Sequence, residues 1–93
     1  MKKALYNKII KALEKAGFGR LIYERDGGIY VSAEDFVEID GKTTRAGDYY
    51  EYMESEGSDY GAFGINKKII DICDKLDCFC EWETPGTFAI WEA

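Results

Sequence analysis

The sequence predicts an α+β fold in which two helices pack on an antiparallel sheet built from consecutive β-hairpins. Two stretches have the apolar spacing of amphipathic helices, and three tight-turn dipeptides separate pairs of β-rich runs. The helices do not alternate with single strands along the sequence, and the strands come as consecutive hairpins. This order indicates an antiparallel sheet rather than a parallel one. The predicted order is α-ββ-ββ-(short acidic helix or loop)-α-ββ, and the 93 residues are expected to form one compact domain, 1–93.

The first helix is expected from about Lys3 to Ala16. Its apolar residues recur at three- and four-residue steps and define one buried face: Leu5, Tyr6, Ile9, Ile10, Leu13 and Ala16. Gly17 can adopt the left-handed conformation that ends many helices, and Phe18 behind it can pack on Leu13. The pattern therefore predicts both the buried face and the end of this helix.

The dipeptide Asp26-Gly27 predicts the first hairpin, because a type I′ turn requires positive φ at both of its central positions. A two-residue loop places Ile22 opposite Val31 on the core face. The same register pairs Tyr23 with Tyr30 on the opposite face, where the two rings are expected to be partly exposed.

A second Asp-Gly pair, at 40–41, predicts another hairpin between residues 36–39 and 42–45, although its second arm has few apolar residues. The acidic segment that follows, residues 48–59, fits either a short helix capped by Asp48 or an ordered loop. The residues do not decide between these two structures.

The second helix is expected to begin at Asn66, a favoured N-cap residue, with Ile65 packed on Ile70 as a hydrophobic staple. A third hairpin follows, with residues 78–82 and 87–91 as its arms. Its Pro85-Gly86 dipeptide is typical of a type II turn.

Charge divides the chain into a basic first helix and an acidic body. Residues 1–20 carry six basic side chains and one acidic, whereas residues 21–93 carry six basic and 17 acidic, giving net charges of +5 and −11. An acidic body repels nucleic-acid phosphates and attracts basic surfaces, so direct binding to nucleic acid is not expected. The chain has no histidine, the commonest general base and metal ligand.

The three cysteines are expected to be free thiols in the core of a cytoplasmic protein, because their number is odd and no signal peptide or membrane span is recognisable. Cys78 and Cys80 alternate onto one strand face with Trp82, and Cys73 on the second helix can face them. Zinc would need a fourth ligand, and the redox spacing Cys-x-x-Cys is missing. No metal or other cofactor is predicted.

The most unusual stretch combines tyrosines with carboxylates that have no basic residue between them. It supplies the candidate partner-binding residues Asp48, Tyr49, Tyr50, Glu51, Tyr52, Glu54, Glu56, Asp59 and Tyr60. Unpaired carboxylates repel one another unless a basic partner is present, and tyrosine is enriched at protein interfaces. The alternative is a solvated charge run whose tyrosines cover the core.

These features favour a non-enzymatic binding protein that docks on a basic surface of a larger protein. The sharpest hypothesis is a nucleic-acid-mimicking inhibitor of a nuclease, of the anti-restriction or anti-CRISPR type used by phages and other mobile elements. The alternatives are an antitoxin or adaptor subunit with one dedicated partner, and a small carboxylate-dependent enzyme. The basic first helix, with Lys8, Lys11 and Lys15 on one ridge, also permits self-association.

Overall fold

Two helices and six strands make up the part of the chain that the computed structural model describes, residues 1–51 and 57–93. The elements are α1 (Lys3–Ala16), β1 (Ile22–Arg25), β2 (Gly28–Ser32), β3 (Val37–Ile39), β4 (Lys42–Thr44), α2 (Lys67–Leu76), β5 (Cys78–Thr84) and β6 (Thr87–Glu92). Short 3-10 turns occupy Gly19–Leu21 and Ala62–Gly64. The predicted α+β class is confirmed. Neither described helix is long and apolar enough to cross a membrane.

The larger sheet has four antiparallel strands in the order β1-β2-β6-β5, so the C-terminal hairpin joins the first hairpin through β6 and β2. Strands β1 and β5 are its edges. The second hairpin does not join this sheet, and β3 and β4 form a two-stranded sheet of their own. In these two strands only Val37 and Thr44 are buried, which leaves the hairpin little apolar surface to extend the larger sheet.

The two helices and the larger sheet share one hydrophobic core. Its largest fully buried side chains come from α1, α2, the loop after α1 and the sheet: Ile9, Leu13, Phe18, Ile29, Val31, Ile69, Phe88 and Ile90. The apolar faces predicted for both helices therefore point into the core. Burying such side chains stabilises the fold by about 2 kcal/mol each relative to exposure.

The helix ends follow the predicted signals. Gly17 has a φ of 103°, and the Phe18 N–H donates to the Leu13 carbonyl at 2.9 Å, as in a Schellman ending. At the start of α2 the Asn66 side chain accepts a hydrogen bond from the Lys68 N–H at 2.9 Å. Both the end of α1 and the cap of α2 are confirmed.

The first two hairpins have the predicted turns and pairings. Aspartate and glycine both have positive φ in each Asp-Gly loop, and Tyr23 pairs with Tyr30, their rings stacked with centroids 5.6 Å apart. The third turn differs, because Gly86 lacks the positive φ that a type II turn needs. An added Cβ on Gly86 would lie 2.2 Å from Glu34 Oε1, so the exposed side chain of Glu34 would have to move to make room for it. The type II prediction is wrong.

Charge is divided between the helices and the rest of the molecule. Residues 1–16 and 67–76 carry eight lysines and three acidic residues, net +5, and the other 67 residues carry four basic and fifteen acidic residues, net −11. The basic part of the chain therefore includes α2 as well as α1, and the rest of the chain carries the acidic excess. The two parts differ in sign, which suits them to different partners.

Candidate docking site at the edge of the sheet

A hollow of about 390 Å³ opens beside the edge strand β5. It is lined by residues from β5, from the turn after it and from two loops: Tyr49, Phe63, Cys80, Glu81, Trp82, Glu83, Thr84 and Pro85. Three aromatic residues and two glutamates thus line one hollow. Aromatic side chains beside carboxylates are the groups that bind a lysine or arginine side chain.

Trp82 is the fixed centre of this hollow. Its Nε1–H donates to the Phe63 carbonyl at 2.7 Å, and its ring meets Tyr49 and Phe88 edge-on at centroid distances of 5.4 and 5.3 Å. Gly47 lies under the ring, where an added Cβ would be 3.0 Å from Trp82 Cη2. These contacts hold the indole in one orientation, so it is ordered before any partner arrives.

Exposed aromatic rings surround the hollow. Tyr50 is 85% exposed and Phe63 is 58% exposed, while Tyr49 meets Tyr50 edge-on at a centroid distance of 5.7 Å. Large apolar rings gathered on a surface are typical of interaction sites, whereas singly scattered ones are ordinary. Of the predicted tyrosines, Tyr49 therefore lies against Trp82, and Tyr50 extends the aromatic surface from Tyr49.

Phe63 has a backbone conformation that bulky residues rarely adopt. Its φ is 59°, in the left-handed region, and Gly64 after it has a φ of 78°. Such strain costs about 1–3 kcal/mol and clusters at functional positions. This backbone presents a phenyl ring that is 58% exposed at the hollow, which supports the hollow as a candidate site.

The two carboxylates of the hollow differ in their surroundings. Glu83 lies at a bulge in β5 and pairs with Arg25 Nη2 at 2.5 Å, whereas Glu81 is exposed on the same strand. Arg25 also lies over the Tyr30 ring, with its Cζ 4.4 Å from the ring centroid. Among the described residues, Arg45 has the same kind of surroundings, because it lies over the Phe36 ring and pairs with Asp48.

Two of the predicted site carboxylates bind within the chain. Asp48 pairs with Arg45 at 2.5 Å and accepts from the Tyr50 N–H at 3.1 Å, which folds residues 48–51 into a turn. Asp59 accepts from Lys42 Nζ at 2.6 Å and from Thr44 Oγ1 at 2.9 Å. Their charges are therefore largely balanced before any partner binds.

The remaining predicted site residues have different surroundings. Tyr60 is half-buried, and a hydrogen bond to it raises the pKa of Arg45. Glu51 is exposed next to the aromatic residues, so it is the predicted carboxylate best placed to meet a partner. Three predicted site residues, Tyr52, Glu54 and Glu56, lie outside the described residues.

Asp59 supplies a pH-dependent part of the stability. Hydrogen bonds from Lys42 and then Thr44 lower the pKa of Asp59 below its ordinary value of 3.8. The carboxylate therefore stabilises the fold above pH 3.8, and this contribution disappears as the pH falls through the lowered pKa.

We expect Asp59→Asn to lower the free energy of unfolding by about 1–2 kcal/mol at pH 7, because it removes a charged hydrogen-bond acceptor. Urea unfolding at pH 7 and at about pH 2.5 measures the change, and the difference from the wild type should shrink in acid. Asp40→Asn is the matched control: the Asp40 side chain is 87% exposed and 3.7 Å from Lys68, so its change should stay below about 0.5 kcal/mol. A difference that persists unchanged in acid would contradict this role.

The three cysteines face one another between α2 and β5, as their spacing predicted. The Sγ atoms of Cys73 and Cys80 are 3.6 Å apart, and Cys73 and Cys78 are buried. A hydrogen bond with Cys78 favours the Cys73 thiolate, but the bond to Cys80 and burial outweigh it and raise the pKa of Cys73 to about 12. The bond to Cys73 and burial raise the pKa of Cys78 as well. Cys73 and Cys78 are therefore protonated, apolar members of the core at neutral pH.

Phe63, Trp82, Glu81 and Glu83 did not stand out in the sequence as site residues. Trp82 was assigned to the cysteine-bearing face of its strand, and its outer edge reaches beyond the core into the hollow. The available signal at Phe63 was its position between Gly61 and Gly64, where a tight turn can push a ring outward.

Comparisons of the chain with protein-family models, curated proteins and solved structures found no match. The class of protein is therefore defined by the fold and the hollow alone. The chain is a small α+β protein with a hollow, lined by aromatic and acidic residues, at the edge of its sheet.

Proposed function

We propose that this chain is a non-enzymatic binding protein whose acidic side docks on a basic surface of a larger protein. The observation that carries the proposal is the hollow beside β5, which is lined by the aromatic residues Tyr49, Phe63 and Trp82 and by two glutamates, Glu81 and Glu83. In the bound state an arginine or lysine side chain of the partner enters this hollow. The net charge of −11 on the residues outside the two helical segments speeds the encounter with a basic partner.

Arginine is the side chain that these groups accommodate best. Its planar guanidinium stacks on aromatic faces and also donates two parallel hydrogen bonds to a carboxylate. A cation held over a ring contributes about 0.5–1 kcal/mol at an exposed site, and more when water is excluded. The residues that line the hollow include both aromatic and acidic side chains. The Tyr50 ring meets Tyr49 edge-on and extends the aromatic surface, and the exposed Glu51 follows it in the chain.

The carboxylates support binding better than carboxylate-dependent catalysis. A general acid at neutral pH needs a raised pKa, whereas the pKa of Asp59 is lowered by its partners. Asp48 is likewise neutralised by Arg45. The small carboxylate-dependent enzyme is therefore the less favoured candidate.

More specifically, the proposed partner is a nuclease or another nucleic-acid-binding protein. The chain inhibits this partner by occupying the basic groove that otherwise holds nucleic acid. Under this proposal the protein belongs to a phage or another mobile element, acts against the defence of the host and is located in the cytoplasm. The alternative is an antitoxin or adaptor with one dedicated partner. Competition separates them, because a mimic and nucleic acid exclude each other on the target, whereas an adaptor and nucleic acid can bind together.

The hollow can be tested with a nona-arginine peptide and the fluorescence of Trp82. Trp91→Phe removes the other tryptophan, which lies against Tyr30 outside the hollow. We expect the peptide to change Trp82 emission saturably and to bind less tightly as salt is raised. Phe63→Gly should weaken binding about tenfold, which is about 1.4 kcal/mol of affinity. Its unfolding free energy should stay within about 1 kcal/mol of the parent, because glycine relieves the left-handed strain.

Two matched variants control for general effects. Tyr23→Ala removes a 39% exposed ring outside the hollow and should leave the affinity within about twofold. Glu81→Lys should weaken binding more than Glu38→Lys, which reverses an exposed strand glutamate elsewhere with the same change in net charge. Equal effects of the two reversals would show attraction by net charge alone and would overturn the assignment of the hollow.

A further inference from the structure

A groove of about 570 Å³ runs between α1 and α2, and it is lined by residues of these two helices alone. Four half-buried side chains form its floor: Ala12, Ala16, Ile72 and Leu76. Five exposed lysines stand along its rim: Lys8, Lys11, Lys15, Lys68 and Lys75. The groove is thus apolar at its bottom and cationic at both sides.

Few acidic side chains within the groove offset the positive charge of the rim lysines. Asp71 is the one acidic residue that lines it, and Lys68 is 3.7 Å from Asp40 in an exposed ion pair. Like charges on neighbouring helix turns repel one another and destabilise the folded chain slightly. An anionic partner would relieve this repulsion and cover the apolar floor at the same time.

We infer that this groove binds an acidic amphipathic helix of a partner protein. An amphipathic helix places apolar residues at i, i+3, i+4 and i+7, which would lie along the floor. Acidic residues on both sides of that stripe would face the lysines of α1 and α2. The alanines of the floor allow close approach, since helix axes pack about 8–10 Å apart when the contacting side chains are small.

The shape and chemistry of the groove favour a helix over other anionic partners. A membrane-binding helix inserts large apolar side chains into the lipid, whereas this floor is concave and half of it is alanine. Single-stranded nucleic acid binds by stacking its bases on aromatic side chains, and no aromatic side chain lines this groove. Neither described helix of a second copy suits this groove, because both carry a net positive charge.

This inference does not rest on the hollow beside β5, because the two sites share no lining residue. Together they would let the chain join a basic surface to an acidic helix. Each site can therefore fail its test without affecting the other.

The probe is a synthetic peptide of about 20 residues with leucines at the helical spacing and glutamates on both flanks. Fluorescence anisotropy with the full chain measures its affinity at low and moderate salt. We expect saturable binding that is at least about tenfold tighter than that of a peptide with the same composition and scrambled leucine positions. Equal binding of the scrambled peptide, or no binding of either, would overturn the inference.

Paired charge reversals locate the binding site. Lys11→Glu with Lys75→Glu should weaken peptide binding about tenfold, whereas Lys2→Glu with Lys3→Glu, outside the groove, should change it less than about threefold. Far-ultraviolet circular dichroism checks that each variant is folded. Equal losses in the two variants would overturn the assignment. Binding of duplex DNA or anionic vesicles through Lys11 and Lys75, more tightly than the peptide, would overturn it too.

Discussion

Replacing Gly64 with alanine is expected to lower the free energy of unfolding by about 4 kcal/mol. Gly64 has a φ of 78°, and an added Cβ would lie 2.1 Å from the Asp48 carbonyl oxygen. The same two residues are joined by a hydrogen bond from the Asp48 N–H to the Gly64 carbonyl at 2.7 Å. An alanine would therefore combine left-handed strain with a backbone clash and would separate the two loops that carry Tyr49 and Phe63.

Urea unfolding measures this effect, and Gly27→Ala is the matched control. Gly27 has a φ of 76°, and nothing lies within 4 Å of the position of its added Cβ. Gly27→Ala should therefore lower the free energy of unfolding only by the cost of a left-handed alanine, about 1 kcal/mol. Similar losses in the two variants would contradict the close approach of the loops at Gly64.

The second large effect is expected from Asn66→Ala, which should lower the free energy of unfolding by about 3 kcal/mol. Asn66 is 3% exposed, and its side-chain oxygen accepts from the Lys68 N–H to cap α2. Its amide donates to the Arg45 carbonyl at 2.9 Å and, more weakly, to Thr44 Oγ1 at 3.4 Å. Alanine removes the cap and leaves the Arg45 carbonyl without this donor.

The variant Asn66→Ser separates the two parts of this effect. Serine can still accept a hydrogen bond at the N-cap, but it does not reach the Arg45 carbonyl as the longer amide does. In urea unfolding at neutral pH, Asn66→Ser should therefore lower the free energy of unfolding by about 1 kcal/mol less than Asn66→Ala does. Equal losses would show that the cap contributes nothing at this position.

The elements with strong local signals could be predicted from the sequence. The Asp-Gly turns set the register of both hairpins, and Gly17 and Asn66 mark helix ends through their backbone chemistry. The order of strands in the sheet could not be predicted in the same way. The pairing of β2 with β6 joins residues about 60 positions apart, and nothing in the local pattern specifies it.

The candidate site was only partly predictable for the same physical reason. Tyrosines and carboxylates identified residues 48–60 as unusual, but the partners of Asp48 and Asp59 come from the preceding hairpin and its flank. The hollow arises when the loops of Tyr49 and Phe63 meet Trp82 on β5. Likewise, the groove arises because helix packing places lysines of α2 opposite those of α1, which the sequence of neither helix specifies.

The central claim is that a basic partner docks at the hollow beside β5. The most direct test is the amide chemical-shift map of the labelled chain during titration with nona-arginine. The account predicts that the largest shifts, saturating together, fall on Tyr49, Phe63 and residues 81–84, with small changes in residues 3–16. Shifts spread evenly over the acidic surface, or their absence at Phe63 and Trp82, would contradict it.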